Sequence, residues 1–250
     1  MNILEVKPNV YFNDAPGAAS NVFYLRTSEG VVLIDTTTSV EEIGAVLDAS
    51  GLTPPDISLL INTHADGDHV GGNSLFDCPI YAHQTTFEQM TAFNRTENEL
   101  PTKTFSEQQM TLEFGEFAIE LIHTGGHKPD QTILWLAEQK VLIASDLLFI
   151  GCHPYMNGCI VEDWITALKS LREFDADVIL PGHGARCGWD EVDGLIEYFE
   201  TGQAIAREHV AQGHTLEETM QDERFLRPEG WVREERIKTN IEVFFQQAGV

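Results

Sequence analysis

Residues 61–73 read INTHADGDHVGGN, which packs His64, Asp66, Asp68 and His69 into one short loop directly after the apolar run of 56–62. In an extended loop, alternate residues project to the same side, so His64 and Asp66 can reach one cation together. A helix starting near Asp68 would turn Asp68 and His69 away from that pair, toward a neighbouring ion. Gly67, Gly71 and Gly72 relieve crowding where the backbone has to pass close to such a site. Helix capping would explain one aspartate. It leaves the other ligand types in the loop without a role.

The rest of the chain sets the frame for that loop. Its 250 residues are 42% hydrophobic and 9% aromatic, enough for a buried core and too apolar for bulk disorder. Lys and Arg total 15 against 40 Asp and Glu, a formal charge of −25. A surface this acidic repels phosphate backbones and anionic bilayers, so the expected partner is a small molecule, with no nucleic acid and no membrane. The opening MNILEVKPNVY lacks the basic start and apolar core of a signal peptide, and no window approaches the roughly 20 apolar residues of a membrane span. Cys78, Cys152, Cys159 and Cys187 are scattered without C-x-x-C spacing, which predicts reduced thiols and a cytoplasmic protein.

Hydrophobic patterning predicts strands at 9–12, 21–27, 30–36, 56–62 and 78–82, with hairpins around Ser28-Glu29-Gly30 and Gly115-Glu116. Further strands are expected at 131–137, 140–149 and 177–180. Helices are expected at 39–50 (Ser39 as N-cap, Gly51 after the end), at about 83–93 and at 162–174. From about 190 to 250 the pattern is largely helical, broken near Pro228. Hairpins mixed with strand–helix units give an α/β protein with partly antiparallel sheets, read as one domain over 1–250.

Four of the nine histidines, His64, His69, His127 and His183, fall in glycine-containing segments directly after apolar β-like runs. Those are strand ends, where a rigid base presents side chains. Asp146 interrupts the apolar run IASDLLF, and a charge there needs a partner, for which a metal ion is the simplest candidate.

In order along the chain, THADGDH at 63–69, HTGGH at 123–127, ASD at 144–146 and LPGHG at 180–184 resemble the metal motifs of the metallo-β-lactamase superfamily, as does the strand VVLIDT at 31–36. The resemblance implies a four-layer αβ/βα sandwich of two mixed β-sheets flanked by helices. It also implies two divalent metal ions, zinc first. His64, Asp66 and His127 would hold one ion, Asp68, His69 and His183 the other, and Asp146 would bridge them. The implied chemistry is attack by a hydroxide between the ions on an ester, thioester, lactone, phosphoester or β-lactam-type bond. Asp68 would orient that hydroxide or take its proton.

The family's usual first motif is H-x-H-x-D-H, and this chain has Asp66 in place of the second histidine. A further carboxylate lowers the Lewis acidity of the centre and favours harder ions, which admits iron or manganese. Flavodiiron oxidoreductases of the same superfamily resemble this arrangement with H-x-E-x-D-H, but carry an appended flavodoxin-like domain. A non-haem di-iron oxidoreductase is therefore the second reading, and a metal-binding scaffold without turnover the third.

Lys128, following His127, is expected to meet an anionic substrate group or to offset nearby carboxylates. In the loop GCHPYMNGC at 151–159, His153 and Tyr155 are expected to contact substrate. The scarcity of basic residues in the C-terminal region argues against a glutathione thioester. His123 is expected behind the site or in the core, and His83, His209 and His214 near the surface. Trp231, Phe244 and Phe245 are expected to pack, with a lid or a homo-oligomer contact as their alternative roles.

Overall fold

The structure, a computed structural model, describes residues 2–14 and 19–249; the remaining positions of the 1–250 reading, 1, 15–18 and 250, lie outside the described residues. The first sheet has seven strands in chain order: β1 (Asn2–Lys7), β2 (Val10–Asp14), β3 (Phe23–Thr27), β4 (Gly30–Ile34), β5 (Ile57–Ile61), β6 (Ile80–His83) and β7 (Lys103–Phe105). Pairing is antiparallel from β1 to β4 and parallel from β4 to β7. Central strands with parallel neighbours are covered on both faces, which is why β4 is apolar after Gly30 and β5 is apolar except at Ser58.

The second sheet runs β12-β11-β10-β9-β8, from β8 (Gln109–Phe114), β9 (Phe117–His123), β10 (Thr132–Leu136), β11 (Val141–Phe149) and β12 (Val178–His183). Only the β11–β12 pair is parallel. The helices are α1 (Val40–Ser50), α2 (Gly67–Val70), α3 (Gln84–Ala92), α4 (Val161–Ser170), α5 (Trp189–Ala211), α6 (Leu216–Thr219) and α7 (Arg236–Ala248).

Period-two alternation sorts the strand residues into layers. Leu25, Val32 and Ile34 face inward and meet Ile119, Leu121 and Leu134 of the other sheet in the central core. Tyr24 and Leu33 point to the opposite face, where Ile43, Val46 and Leu47 of α1 cover them. On the far side of the second sheet, Leu142 and Ala144 pack with Trp164 and Leu168 of α4, Phe199 of α5 and Phe244 of α7. The order is helix, sheet, sheet, helix, and the sheets are mixed.

Helix α1 is capped as its sequence predicts, with the Ser39 side chain accepting from the Glu42 amide and Gly51 closing the helix in a left-handed conformation. Two strands escaped the sequence reading. β1 is an edge strand whose charged residues blur its period, and β7 is three residues long, too short to show one. The helix expected at 162–174 ends at Ser170 and passes into a short 3₁₀ turn. No described helix is long and apolar enough to cross a membrane.

Candidate metal centre

Strand ends from both sheets converge on one point. β4 leads into Asp35, and β5 into Thr63 and His64. β9 leads toward His127, β11 carries Asp146, and β12 closes on His183. The chain stays extended through Asp66, whose φ is −63° and ψ 142°, and then enters α2. Asp66 occupies the N-cap position of that helix, yet its side chain makes no capping hydrogen bond. Capping therefore does not account for it.

The donor atoms fall into two groups. His64, His127 and Asp146 each offer a ligand atom within 4.8 Å of the others, as do Asp68, His69 and His183. Asp66 Oδ2 lies 3.3 Å from His127 Nε2 and 4.0 Å from His64 Nε2, which places it with the first group. Asp146 stands between the groups: its Oδ2 is 3.7 Å from His64 Nε2, 3.6 Å from His127 Nε2 and 3.3 Å from His183 Nε2. Its Oδ1 is 3.1 Å from His69 Nε2. All seven residues singled out in the sequence as ligands come together here.

Local backbone chemistry aims these groups. Around Asp146, β11 spends residues 145–149 where parallel β12 spends 181–183, a bulge that turns the carboxylate into the site. Ser145 takes a φ of 46° there, a strained left-handed conformation for a non-glycine residue. A Cβ on Gly182 would sit 1.8 Å from Asp146 Oδ1, so only glycine fits opposite the bulge. On the other wall, a Cβ on Gly71 would lie 2.0 Å from the Thr38 carbonyl oxygen.

Behind the ligands lies a buried hydrogen-bond layer. Asp35, fully buried, accepts from the Thr63 amide (2.9 Å) and from the Thr63 hydroxyl (2.7 Å), and pairs with His69 Nδ1 at 2.8 Å. With its own proton given to Asp35, Thr63 Oγ1 accepts from His64 Nδ1 at 3.0 Å. Both imidazoles are thus held as Nδ1–H, with Nε2 turned inward. Asp130 Oδ2 accepts from the Ala65 amide, and Asn21 binds the Pro181 and Gly184 carbonyls on either side of the β12 end. Asn62, Asn73 and Thr36 form a buried network beneath the loop.

The sequence reading assigned none of these supporting roles. Asp35 carried the same signal as Asp146, a carboxylate closing an apolar run, and that signal could have found it.

Electrostatics suit a cation. Burial, reinforced by the neighbouring His69, pushes the His64 pKa down to about 3, so this imidazole is neutral. Burial opposes ionisation of Asp66 and Asp146. Hydrogen bonding from His127, with the Lys128 ammonium nearby, outweighs it for Asp66, as the facing His69 and His183 do for Asp146, so both stay below the usual carboxylate range. His64 Nε2, His69 Nε2 and Asp146 Oδ1 are buried and make no hydrogen bond. Inward-facing donors of this kind are costly unless something cationic satisfies them. A set of imidazole and carboxylate groups fits one or two divalent transition-metal ions.

The centre opens into a cavity of about 640 Å³ whose wall includes Asp66, Asp68, Lys128, Phe149, Tyr155 and His183. Lys128 stands 3.4 Å from Asp66 Oδ2 and 4.8 Å from the Tyr155 ring centre. His153 does not line this cavity. Its ring is buried against Tyr198 and Trp231, because the loop folds back under the C-terminal helices. His83 and His209 are also buried, contrary to their surface reading: His83 caps α3 and stacks on His123, and His209 pairs with Asp222 and His214. All four cysteines are free, and burial raises Cys152 to about 11 and Cys159 to about 12, far from a reactive thiolate.

Fold and donor set together define an αβ/βα sandwich with a candidate metal centre at one end of its sheets. The chain belongs to the metallo-β-lactamase superfamily, whose sequence profile matches residues 15–183. It is 25% identical over 199 residues to the metallo-beta-lactamase type 2 of Bacillus cereus, covering 74% of this chain and 77% of that protein. It is 27% identical over 177 residues to the beta-lactamase-like protein 2 homolog of Caenorhabditis elegans, covering 66% of this chain but only 56% of that one.

Among solved structures, the metallo-beta-lactamase of Pontibacter korlensis superposes with a TM-score of 0.70 at 20% identity, over 80% of this chain and 98% of its own. The sec-alkylsulfatase Pisa1 of Pseudomonas sp. gives 0.80 at 18% identity, over 98% of this chain and 50% of its own. At these identities the structural likeness concerns the fold alone.

Proposed function

We propose that the protein is a metal-dependent hydrolase with a two-ion centre. His64, Asp66 and His127 hold one ion, Asp68, His69 and His183 the other, and Asp146 is shared. The observation that carries this reading is the pair of three-residue donor groups with Asp146 between them. Divalent ions bound there would supply a water nucleophile at neutral pH, with a pKa near about 7, and would stabilise developing oxyanion charge.

The protein's own groups do the rest. Asp68 is the most exposed of the donor carboxylates, its side chain 39% accessible at the cavity wall, so it can take a proton from attacking water and pass it to solvent. Asp35 and Thr63 hold His69 and His64 in one tautomer, so no reorganisation is needed as charge builds. Phe149 stacks on His183 at 4.6 Å and keeps water from the back of that ring. The substrate class is an ester, thioester, lactone, phosphoester or β-lactam-type bond. The relatives' names, a beta-lactamase and an alkylsulfatase among them, point to different bonds and do not single out one class.

The test is to load zinc or manganese, assay a panel of such bonds, and repeat with His127→Ala and Asp68→Asn. Turnover that depends on metal and falls by roughly 10³-fold or more in both variants is the expected result. Absence of turnover across the panel at full metal loading would contradict it. The donor-distance carboxylate of Asp66 favours one second reading, iron-based redox chemistry. Purified protein with stoichiometric iron and a visible absorption band would put that reading first.

A further inference from the structure

The cavity beside the metal donors is where a scarce resource is concentrated. Of the 15 Lys and Arg residues in a chain of charge −25, Arg95, Lys128 and Arg236 all line it. The acidic residues in the same wall are Asp66, Asp68 and Asp146, all members of the donor set. Two of the three cations have carboxylate partners: Arg95 pairs with Glu99 at 3.0 Å, and Lys128 stands 3.4 Å from Asp66.

Arg236 differs. Among the described residues no carboxylate lies within ion-pairing distance of it, and its hydrogen bond goes from Nη1 to the His153 carbonyl oxygen at 2.9 Å. It opens α7, where the helix dipole disfavours a cation, so helix stability does not explain the residue. It is also held in place. The guanidinium sits 5.8 Å from the ring centre of Phe149 and 5.7 Å from that of Tyr155, and Phe149 in turn stacks on His183. This ladder ties a planar, multidonor cation to a candidate metal ligand. Arg236 lies beyond the 15–183 segment that matches the superfamily, so no shared motif accounts for it. The sequence reading found the C-terminal region poor in basic groups, and the fold brings this one to the site.

Two exposed aromatic rings also face this cavity. Phe93 and Tyr155 are 57% and 39% exposed, unusual for large rings unless something covers them.

We propose that Arg236 is a specificity-determining residue that anchors an anionic group of the substrate, a carboxylate, sulfate or phosphate, whose apolar body packs against the exposed rings of Phe93 and Tyr155. This rests on the hydrolase reading for the word substrate. The binding chemistry stands on the cavity itself. A guanidinium presents paired donors that match an oxyanion, and partial burial strengthens the contact.

The test is calorimetric binding of phenylbutanoate, phenylbutanesulfonate and phenylbutylphosphonate to the zinc-loaded protein, with phenylbutanol as the uncharged control. The three anions show which oxyanion geometry the site prefers. We expect at least one to bind roughly tenfold or more tighter than the alcohol, with that advantage lost in Arg236→Gln and only partly kept in Arg236→Lys, which retains the charge without the paired donors. A residue that only buttressed the His153 loop would lower the melting temperature without changing selectivity between anion and alcohol.

Equal binding of anions and alcohol by the wild type, or an unchanged anion preference in a folded Arg236→Gln, overturns the proposal even if the ester panel is turned over. An Arg236-dependent anion preference with no turnover of any bond supports the anchor and refutes the hydrolase reading instead.

Discussion

Asp66 puts an anionic oxygen where the superfamily's usual motif puts an imidazole; it lies 3.3 Å from His127 Nε2 and makes no capping hydrogen bond, the geometry of a candidate metal donor. Asp66→His should therefore move metal preference toward zinc and away from manganese and iron, with the fold intact, as competition binding would measure. Unchanged preference would mean that Asp66 does not bind metal. Asp35→Asn tests the layer behind: with His69 no longer fixed, zinc affinity should fall roughly 10- to 100-fold, read by chelator competition. Gly182→Ala should be worse than either, because its Cβ has no space beside Asp146 Oδ1 and the bulge that aims that carboxylate must shift. The seven candidate donors were legible in the sequence, since their segments follow or interrupt apolar runs and carry recognisable donor types. Asn21, Asp130 and Gly182 were not, because their roles depend on strands far apart in sequence.

At the scale of elements, α4 carries both packing and function. Trp164 is fully buried, donates from Nε1 to the Leu147 carbonyl, and sets its ring 4.9 Å from that of His127. Trp164→Ala should cost about 3–5 kcal/mol in denaturant unfolding and should also weaken metal binding, since the same ring walls a ligand. A stability loss with unchanged metal affinity would separate the two roles. The helices were readable where caps and periods are clean, as in α1 with Ser39 and Gly51. Edge strand β1, the short β7 and the buried setting of His153 and His209 were not, because tertiary neighbours decide them.

Across the whole molecule, one apolar cluster joins the two sheets and another runs from β11 through α4 and α5 to α7. Calorimetry should accordingly show a single unfolding transition that bound zinc moves upward. Stability should also carry a signature of Asp130, whose pKa burial raises to about 6 from the ordinary 3.8. The folded state then holds a proton that the unfolded state has released, so stability should decline as pH rises from 3.8 to about 6 and flatten above, by up to about 3 kcal/mol. Asp66 and Asp146, held low, act in the opposite sense, with their contribution lost as pH falls below the ordinary carboxylate range. Chelator-treated Asp130→Asn should lack the decline toward pH 6, as melting temperatures across the range would reveal.

If these seven residues form one centre for two ions, metal stoichiometry will show it. Elemental analysis would compare wild type, Asp66→Ala and Asp68→Ala after zinc loading and dialysis. We expect about two ions per chain in the wild type and the loss of about one in each variant. One ion or fewer in the wild type, or variants that retain the full content, would contradict it.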